Sequence, residues 1–280
     1  MRSLPVKEIK FTKMVGSGND FIIIDNRKKL LRIKNLRQFI GKICARRFSI
    51  GADGIIFIEN SSKADFKWRF YNSDGSEAEM CGNGGRCAAR FAFINKIASK
   101  NLNFETGAGI IRADIKGERV KIRLTQPKGL RSGIKLKISG KEREVNFVNS
   151  GVPHVVHFVD NLDTLKVDEI GREIRYHKKF SPAGTNVNFI KIGKGSCLRI
   201  RTYERGVEGE TLACGTGAVA SALVSSYLGK VKSPVTVYPK SGESLRIYFD
   251  KDRNDFSNVC LEGEARVVCN GVMQEEAWKY

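Results

Sequence analysis

Apolar residues recur at every second position through much of this chain, and that period defines short strands. Residues 21–25 and 55–58 are largely apolar runs, while residues 67–71, 101–105, 110–115 and 119–124 supply further strands in the first half. Arg119-Val120-Lys121-Ile122-Arg123-Leu124 shows the alternation most clearly: basic side chains on a solvated face, apolar ones on a buried face. In the second half the same reading gives strands at 134–138, 145–148, 155–159, 198–203, 235–238, 245–249 and 259–268. Only four segments carry a helical pattern. Residues 35–48 place Leu36, Phe39, Ile40 and Ile43 on one face behind a capping Asn35, and 167–177 does the same with Ile170 and Ile174. The other two, 85–95 and 218–228, each follow a cysteine. Gly16-Ser17-Gly18 is a turn presenting Asn19, since no strand-helix-strand unit follows it as a dinucleotide site requires. Many strands, few helices and one cysteine-headed helix per half predict an α+β fold of two similar, pseudo-symmetric lobes. Their predicted spans are residues 1–126 and 127–266, with the tail 267–280 returning to the first lobe.

The two cysteine-headed helices open with the same run. Glu77-Ala78-Glu79-Met80-Cys81-Gly82-Asn83-Gly84 and Glu210-Thr211-Leu212-Ala213-Cys214-Gly215-Thr216-Gly217 are both E-x-x-x-C-G-x-G. A sulfur at a helix N-terminus sits where free backbone N–H groups and the positive end of the dipole stabilise a thiolate. The neighbouring glycine lets the backbone approach a ligand closely and aims N–H groups at an anionic oxygen. One such run could be a buried cysteine in a tight turn, but a duplicated turn has no need to keep both sulfurs.

Composition narrows the field. The 280 residues, 41% hydrophobic and 28% charged, fit a globular protein of two ordinary domains. There is no apolar run of membrane-spanning length, and the basic opening of the chain precedes no signal-like stretch, so a cytoplasmic protein without membrane contact is expected. Seven cysteines without C-x-x-C pairs argue against a disulfide framework or zinc site; Cys44, Cys87, Cys197, Cys260 and Cys269 read as inert core residues. With His154, His157 and His177 the only histidines and no H-E-x-x-H, no metal is expected. The net charge of +19 would suggest nucleic acid, but the basic residues are spread over solvated strand faces, so no nucleic-acid partner is predicted.

Two lobes related by a pseudo-twofold axis would bring Cys81 and Cys214 to opposite sides of one substrate carbon. One sulfur, as thiolate, can remove a proton from one face while the other, as thiol, delivers a proton to the opposite face. Such a pair inverts a stereocentre without a cofactor. A module that merely binds small zwitterions, and a redox protein with a reversible Cys81–Cys214 disulfide, remain alternatives.

At this point the chain resembles the diaminopimelate epimerases, cofactor-independent amino-acid epimerases. The resemblance runs nearly end to end through Gly18-Asn19-Asp20-Phe21, Asn72 with Asp74-Gly75-Ser76-Glu77, Cys81-Gly82-Asn83-Gly84, Gly184-Thr185-Asn186, Tyr203-Glu204-Arg205-Gly206 and Ala213-Cys214-Gly215-Thr216-Gly217. It implies conversion of LL-2,6-diaminoheptanedioate to the meso isomer, a step toward lysine and peptidoglycan, by a homodimer whose lobes each wrap antiparallel strands around a central helix. It further implies Cys81 and Cys214 as the acid/base pair, with the amides of Gly82, Asn83, Gly215 and Thr216 on the substrate carboxylates. By the same resemblance Asn19, Asn72 and Asn186 bind the polar ends of the substrate, and Glu204 and Arg205 fix the distal amino-acid head. His154 and Glu204 are expected to tune the thiols. Two positions depart from the pattern: Val152 stands where many members have asparagine, and Gly54 where some have glutamine. A thiol-pair racemase for proline, hydroxyproline or histidine is the nearest competitor. The Glu204-Arg205 pair argues against it, because a second amino-acid head needs a matched acid and base.

Overall fold

The computed structural model describes residues 8–29 and 33–280, so the basic opening stretch lies partly outside the described residues. The chain divides into two compact units, Met1–Ile122 with Glu264–Tyr280, and Arg123–Gly263. The two share one plan, except that the strand pairing with the first strand, Glu8–Gly16, closes the chain while its counterpart opens the second unit.

In the first unit β1 (Glu8–Gly16) and β2 (Asn19–Asp25) form an antiparallel hairpin. Helix α1 (Leu36–Cys44) leads to β3 (Gly54–Glu59), parallel to β2, and β4 (Phe66–Asn72) returns antiparallel to it. The two-residue β5 (Glu77–Ala78) pairs with β4. Helix α2 (Gly82–Ile94) then leads to β6 (Asn101–Thr106), parallel to β4, and the antiparallel strands β7 (Gly109–Lys116) and β8 (Arg119–Arg123) follow. The C-terminal β18 (Arg266–Gln274) pairs with β1, and the short α5 (Glu276–Lys279) sets Trp278 edge-on against Phe39 of α1 at 5.5 Å.

The second unit repeats the plan. The hairpin β9 (Lys128–Ile138) and β10 (Lys141–Asn149) precedes β11 (Pro153–Phe158), antiparallel to β10. Helix α3 (Val167–Arg175) and a single 3-10 turn lead to β12 (Asn186–Ile192), parallel to β11, and β13 (Cys197–Glu204) returns antiparallel. Then come β14 (Gly209–Thr211), helix α4 (Gly215–Tyr227), β15 (Val235–Tyr238) parallel to β13, and the antiparallel β16 (Leu245–Asp252) and β17 (Asp255–Glu264). The registers make the equivalence residue by residue. Phe21 pairs with Gly54 as His154 pairs with Asn186, and Tyr71 pairs with Glu77 as Tyr203 pairs with Glu210.

The central strands β2, β3, β11 and β12 are buried on both faces. In the first unit α1 packs Phe39, Ile40 and Ile43 against Ile22, Ile24, Ile55 and Phe57. In the second, Ile174 of α3 joins Val155, Val187, Phe189 and Tyr203. The cysteine-headed helices are central. Helix α4 is buried all round, with Ala218, Val219, Ala220, Ala222, Leu223 and Val224 enclosed together with Ser221, Ser225 and Ser226, a composition that suits an enclosed helix. Burial of each such Val or Leu contributes roughly 1.5–3 kcal/mol, so the position of α4 in the core is strongly specified.

Three expectations are corrected. Helices α2 and α4 begin at Gly82 and Gly215, directly after the cysteines, rather than at 85 and 218. The first-turn bonds Gly85 N–H to Cys81 C=O and Ala218 N–H to Cys214 C=O make each cysteine the N-cap. Residues 259–268 are not one strand: Ala265, whose N–H bonds to Glu118 C=O, separates β17 from β18. Of the five cysteines read as core, Cys44 and Cys87 are buried, Cys197 and Cys260 are half-buried, and Cys269 is exposed, because most of β18 is solvated.

Candidate active site

Cys81 is half-buried at the head of α2 in extended backbone, φ −140°, and its Sγ accepts the N–H of Gly84 at 3.5 Å. The cradle around it is held by amides and charges. Asn83 Nδ2 donates to Asn19 Oδ1 at 2.6 Å, and Asn19 Nδ2 donates to Asp53 Oδ2 at 3.0 Å. Arg46 ties Asp53 and Asp20 together at 2.9 and 2.5 Å, and Lys13 lies 2.8 Å from Asp20. Burial alone would raise the Asp20 carboxyl, but the hydrogen bonds from Arg46 and Lys13 hold it below the usual carboxylate range. Within the second turn of α2, Arg86 has no solvent exposure and donates to Ser17 Oγ at 2.8 Å and to Asn83 Oδ1 at 2.9 Å. Its Nη1 reaches the Gly82 carbonyl at 3.3 Å, so the guanidinium braces the turn that follows the cysteine.

Cys214 caps α4 differently. Its backbone is extended, φ −121°, it is 9% exposed, and its Sγ lies 3.5 Å from the Thr216 hydroxyl. Thr216 is fixed by Ser150, whose hydroxyl donates to the Thr216 carbonyl at 2.8 Å, and by His154, whose Nε2 lies 2.9 Å from its Oγ1. His154 is wholly buried. Burial, and then the positive charge of Arg205, depress it to a pKa of about 3, so its ring is neutral at any working pH.

The remaining predicted residues occupy distinct places. Asn186 is buried in β12; its Nδ2 donates to Pro153 C=O at 3.0 Å, and its Oδ1 accepts the Arg205 N–H at 2.9 Å, fixing the turn after β13. Arg205 Nη1 donates to Ala183 C=O at 3.1 Å. Glu204 is partly buried, and loss of hydration pushes its carboxyl up. Asn72 is exposed at the end of β4, where its Nδ2 donates to Ser76 Oγ at 3.0 Å. The glutamates opening the two runs lie away from these groups: Glu77 pairs with Arg69 at 3.2 Å and Glu210 with Arg201 at 2.6 Å, each bracing a β-hairpin.

Asp53, Arg86, Ser150 and Asn188 were not singled out by the sequence. Asp53 sits in a Gly-Ala-Asp-Gly turn, where aspartate is common; Arg86 shares its helix with a second arginine, Arg90, and nothing local in the sequence marks which of the two is buried. The departure at Gly54 has a packing reason: a Cβ there would lie 2.6 Å from the Phe70 ring. Among the described residues no group of three or more His, Cys, Asp or Glu is placed to hold a metal ion, and no helix is long and apolar enough to cross a membrane.

Two matched units, each with a cysteine capping a central helix, are the architecture of the racemase and epimerase fold. A phenazine biosynthesis protein of the PhzF family from Bacillus anthracis superposes with TM-score 0.74 over 96% of this chain and 99% of that one, at 17% identity. A probable proline racemase from Agrobacterium radiobacter K84 superposes with TM-score 0.68 over 95% and 92%, at 12% identity. The family model for diaminopimelate epimerase matches residues 11–128 and 146–268. The diaminopimelate epimerase of Hydrogenobaculum sp. (strain Y04AAS1) is 48% identical over 277 residues, 95% of this chain and 98% of its own. That of Aquifex aeolicus is 45% identical over 283 residues, 97% and 100%. The chain belongs to the diaminopimelate epimerase family.

Proposed function

We propose that this chain interconverts LL- and meso-diaminopimelate by proton exchange between Cys81 and Cys214 at one α-carbon. One cysteine, as thiolate, takes the α-proton: a C–H bond breaks, an S–H bond forms, and the electron pair moves into the carboxylate. The other, as thiol, gives its proton to the opposite face: an S–H bond breaks and the new C–H bond forms. The α-proton of an amino acid is only weakly acidic, so the developing charge must be met by fixed donors. The free N–H groups at the first turns of α2 and α4 supply them.

The observation that carries this reading is the duplication itself: in both units the cysteine is the N-cap of the buried central helix. Asn19 and Asn72 bind polar ends of the substrate, and Glu204 and Arg205 hold its distal ammonium and carboxylate, with Asn186 fixing the backbone between them. The catalytic reading carries no metal or organic cofactor. The active form is a cytoplasmic homodimer, which sedimentation equilibrium at micromolar concentration checks; a monomer there refutes the dimer.

The test is to offer the purified protein LL-diaminopimelate and, separately, proline, hydroxyproline and histidine, and to follow stereochemistry by chiral chromatography. Formation of the meso isomer without added pyridoxal phosphate supports the proposal. Racemisation of one of the other amino acids with no meso product would overturn the substrate, and tight binding with no inversion would favour the binding module.

A further inference from the structure

Below the head of α4 lies a chain of buried neutral polar side chains at register positions that are apolar in the first unit. Asn188 of β12 has no solvent exposure. Its Nδ2 donates to the Val155 carbonyl at 2.9 Å and lies 3.1 Å from His154 Nδ1, while its Oδ1 accepts from Thr202 Oγ1 at 3.0 Å. Ile56 holds the equivalent register position in the first unit: it pairs with Phe70 as Asn188 pairs with Thr202.

The hydrogen-bond directions in this chain are fixed by chemistry. The Val155 carbonyl can only accept, so the amide atom facing it is the donor nitrogen, and the orientation of Asn188 is set. The second hydrogen of that nitrogen points at His154 Nδ1, which must therefore accept and carry no proton. In a neutral imidazole the proton is then on Nε2. Nε2–H donates to Thr216 Oγ1 2.9 Å away, so the Thr216 hydroxyl has its own hydrogen to give, and the Cys214 sulfur lies 3.5 Å from it.

We propose that Asn188 is a positioning residue: by locking His154 in its Nε2–H tautomer, it turns the Thr216 hydroxyl into a hydrogen-bond donor to the Cys214 sulfur. The consequence for catalysis rests on Cys214 being one of the two acid/base thiols, whereas the tautomer and the thiol ionisation are read without turnover. A hydroxyl donated to sulfur stabilises the thiolate over the thiol. Two other influences bear on the same ring or sulfur: Arg205 acts on His154 electrostatically, and the first-turn N–H groups of α4 face the cap. Gly217 belongs to the device, because a Cβ there would land on Asn188 Oδ1.

The test has two readouts. Long-range proton–nitrogen-15 correlation of the reduced full-length protein assigns the His154 tautomer. The Nε2–H form is expected in the natural protein, and an Nδ1–H ring there would overturn the proposal without any variant. Alkylation by iodoacetamide against pH, resolved by peptide mass spectrometry, gives the ionisation midpoint of each cysteine. The Asn188→Asp carboxylate cannot donate, so His154 should move its proton to Nδ1 and Nε2 should take the Thr216 hydrogen away from sulfur. The Cys214 midpoint should then rise by about one pH unit while that of Cys81 stays put. In a Thr216→Val background the rise should shrink by at least half, since the path runs through the hydroxyl. A rise of undiminished size in that background means that Asn188→Asp acts by charge alone, and the positioning role fails. Should Asn188→Asp not fold, the spectrum of the natural protein decides the matter. Loss of meso-diaminopimelate formation with both readouts as expected would count against the functional reading and leave the tautomer lock intact.

Discussion

The two cysteine caps share a backbone and differ in almost everything beneath it. Under α2 the register positions are filled by Phe21, Ile56 and Phe70, and the polar work passes to one side, through Asn83, Asn19, Asp53 and the buried Arg86. Under α4 the equivalent positions are His154, Asn188 and Thr202, and the wiring is neutral from end to end. One sulfur is thus braced by charges and amides, the other by a chain of hydroxyl, imidazole and amide. Reversible inversion at a carbon needs two groups of nearly matched basicity. Under the proposed mechanism the two sulfurs exchange the roles of base and acid, and the duplicated fold surrounds them with two different electrostatic environments.

The comparison can be broken most forcibly at the sulfurs. Cys81→Ala and Cys214→Ala should each lower epimerisation by at least about 10³-fold, the scale of a lost general acid or base, with near-ultraviolet circular dichroism unchanged. Activity kept by either variant would end the two-thiol account.

The neutral wiring makes a pH prediction. His154 has a folded-state pKa of about 3 against the ordinary 6.5. Its folded pKa is depressed, so its contribution to stability is full above pH 6.5 and is lost as pH falls from 6.5 toward 3. The slope is about 1.4 kcal/mol per pH unit within that window. Denaturant midpoints measured across it should flatten in His154→Gln relative to the natural protein.

The charged wiring predicts a smaller change. Arg86→Met leaves Ser17 and Asn83 without their buried donor and should cost about 2 kcal/mol in denaturant unfolding. It should also raise the alkylation midpoint of Cys81 but not that of Cys214. Equal shifts at both sulfurs would mean that the two wirings are not separate.

Last in size, Asn19→Ala should raise KM for LL-diaminopimelate about tenfold, the value of one lost hydrogen bond to a charged group, with little change in kcat. A fall in kcat alone would move Asn19 from binding to chemistry.

How far the sequence reveals this arrangement depends on range. The duplicated cysteine run, the glycine beside each sulfur and the alternating strands are local, and they were readable. The start of each helix was misplaced by three residues because glycines discourage helix when judged locally, whereas burial of the whole segment at the centre of its unit overrides that cost. Asn188 was invisible for another reason. Val187-Asn188-Phe189 looks like an ordinary half-buried strand, and its meaning appears only when the registers of β11, β12 and β13 bring His154, Asn188 and Thr202 together. The glutamates that open both runs carried no assignment from the sequence; each braces a β-hairpin, Glu77 with Arg69 and Glu210 with Arg201.

The central claim, two thiols acting on opposite faces of one carbon, is tested most directly by solvent labelling. LL-diaminopimelate incubated with the reduced protein in deuterium oxide should, at low conversion, give meso product carrying one deuterium at the inverted carbon while the recovered LL substrate stays largely unlabelled. Each face has its own proton donor, so the labelled proton arrives from the second sulfur. Deuterium appearing equally in recovered substrate and product would mean that a single group serves both faces, and would contradict the account.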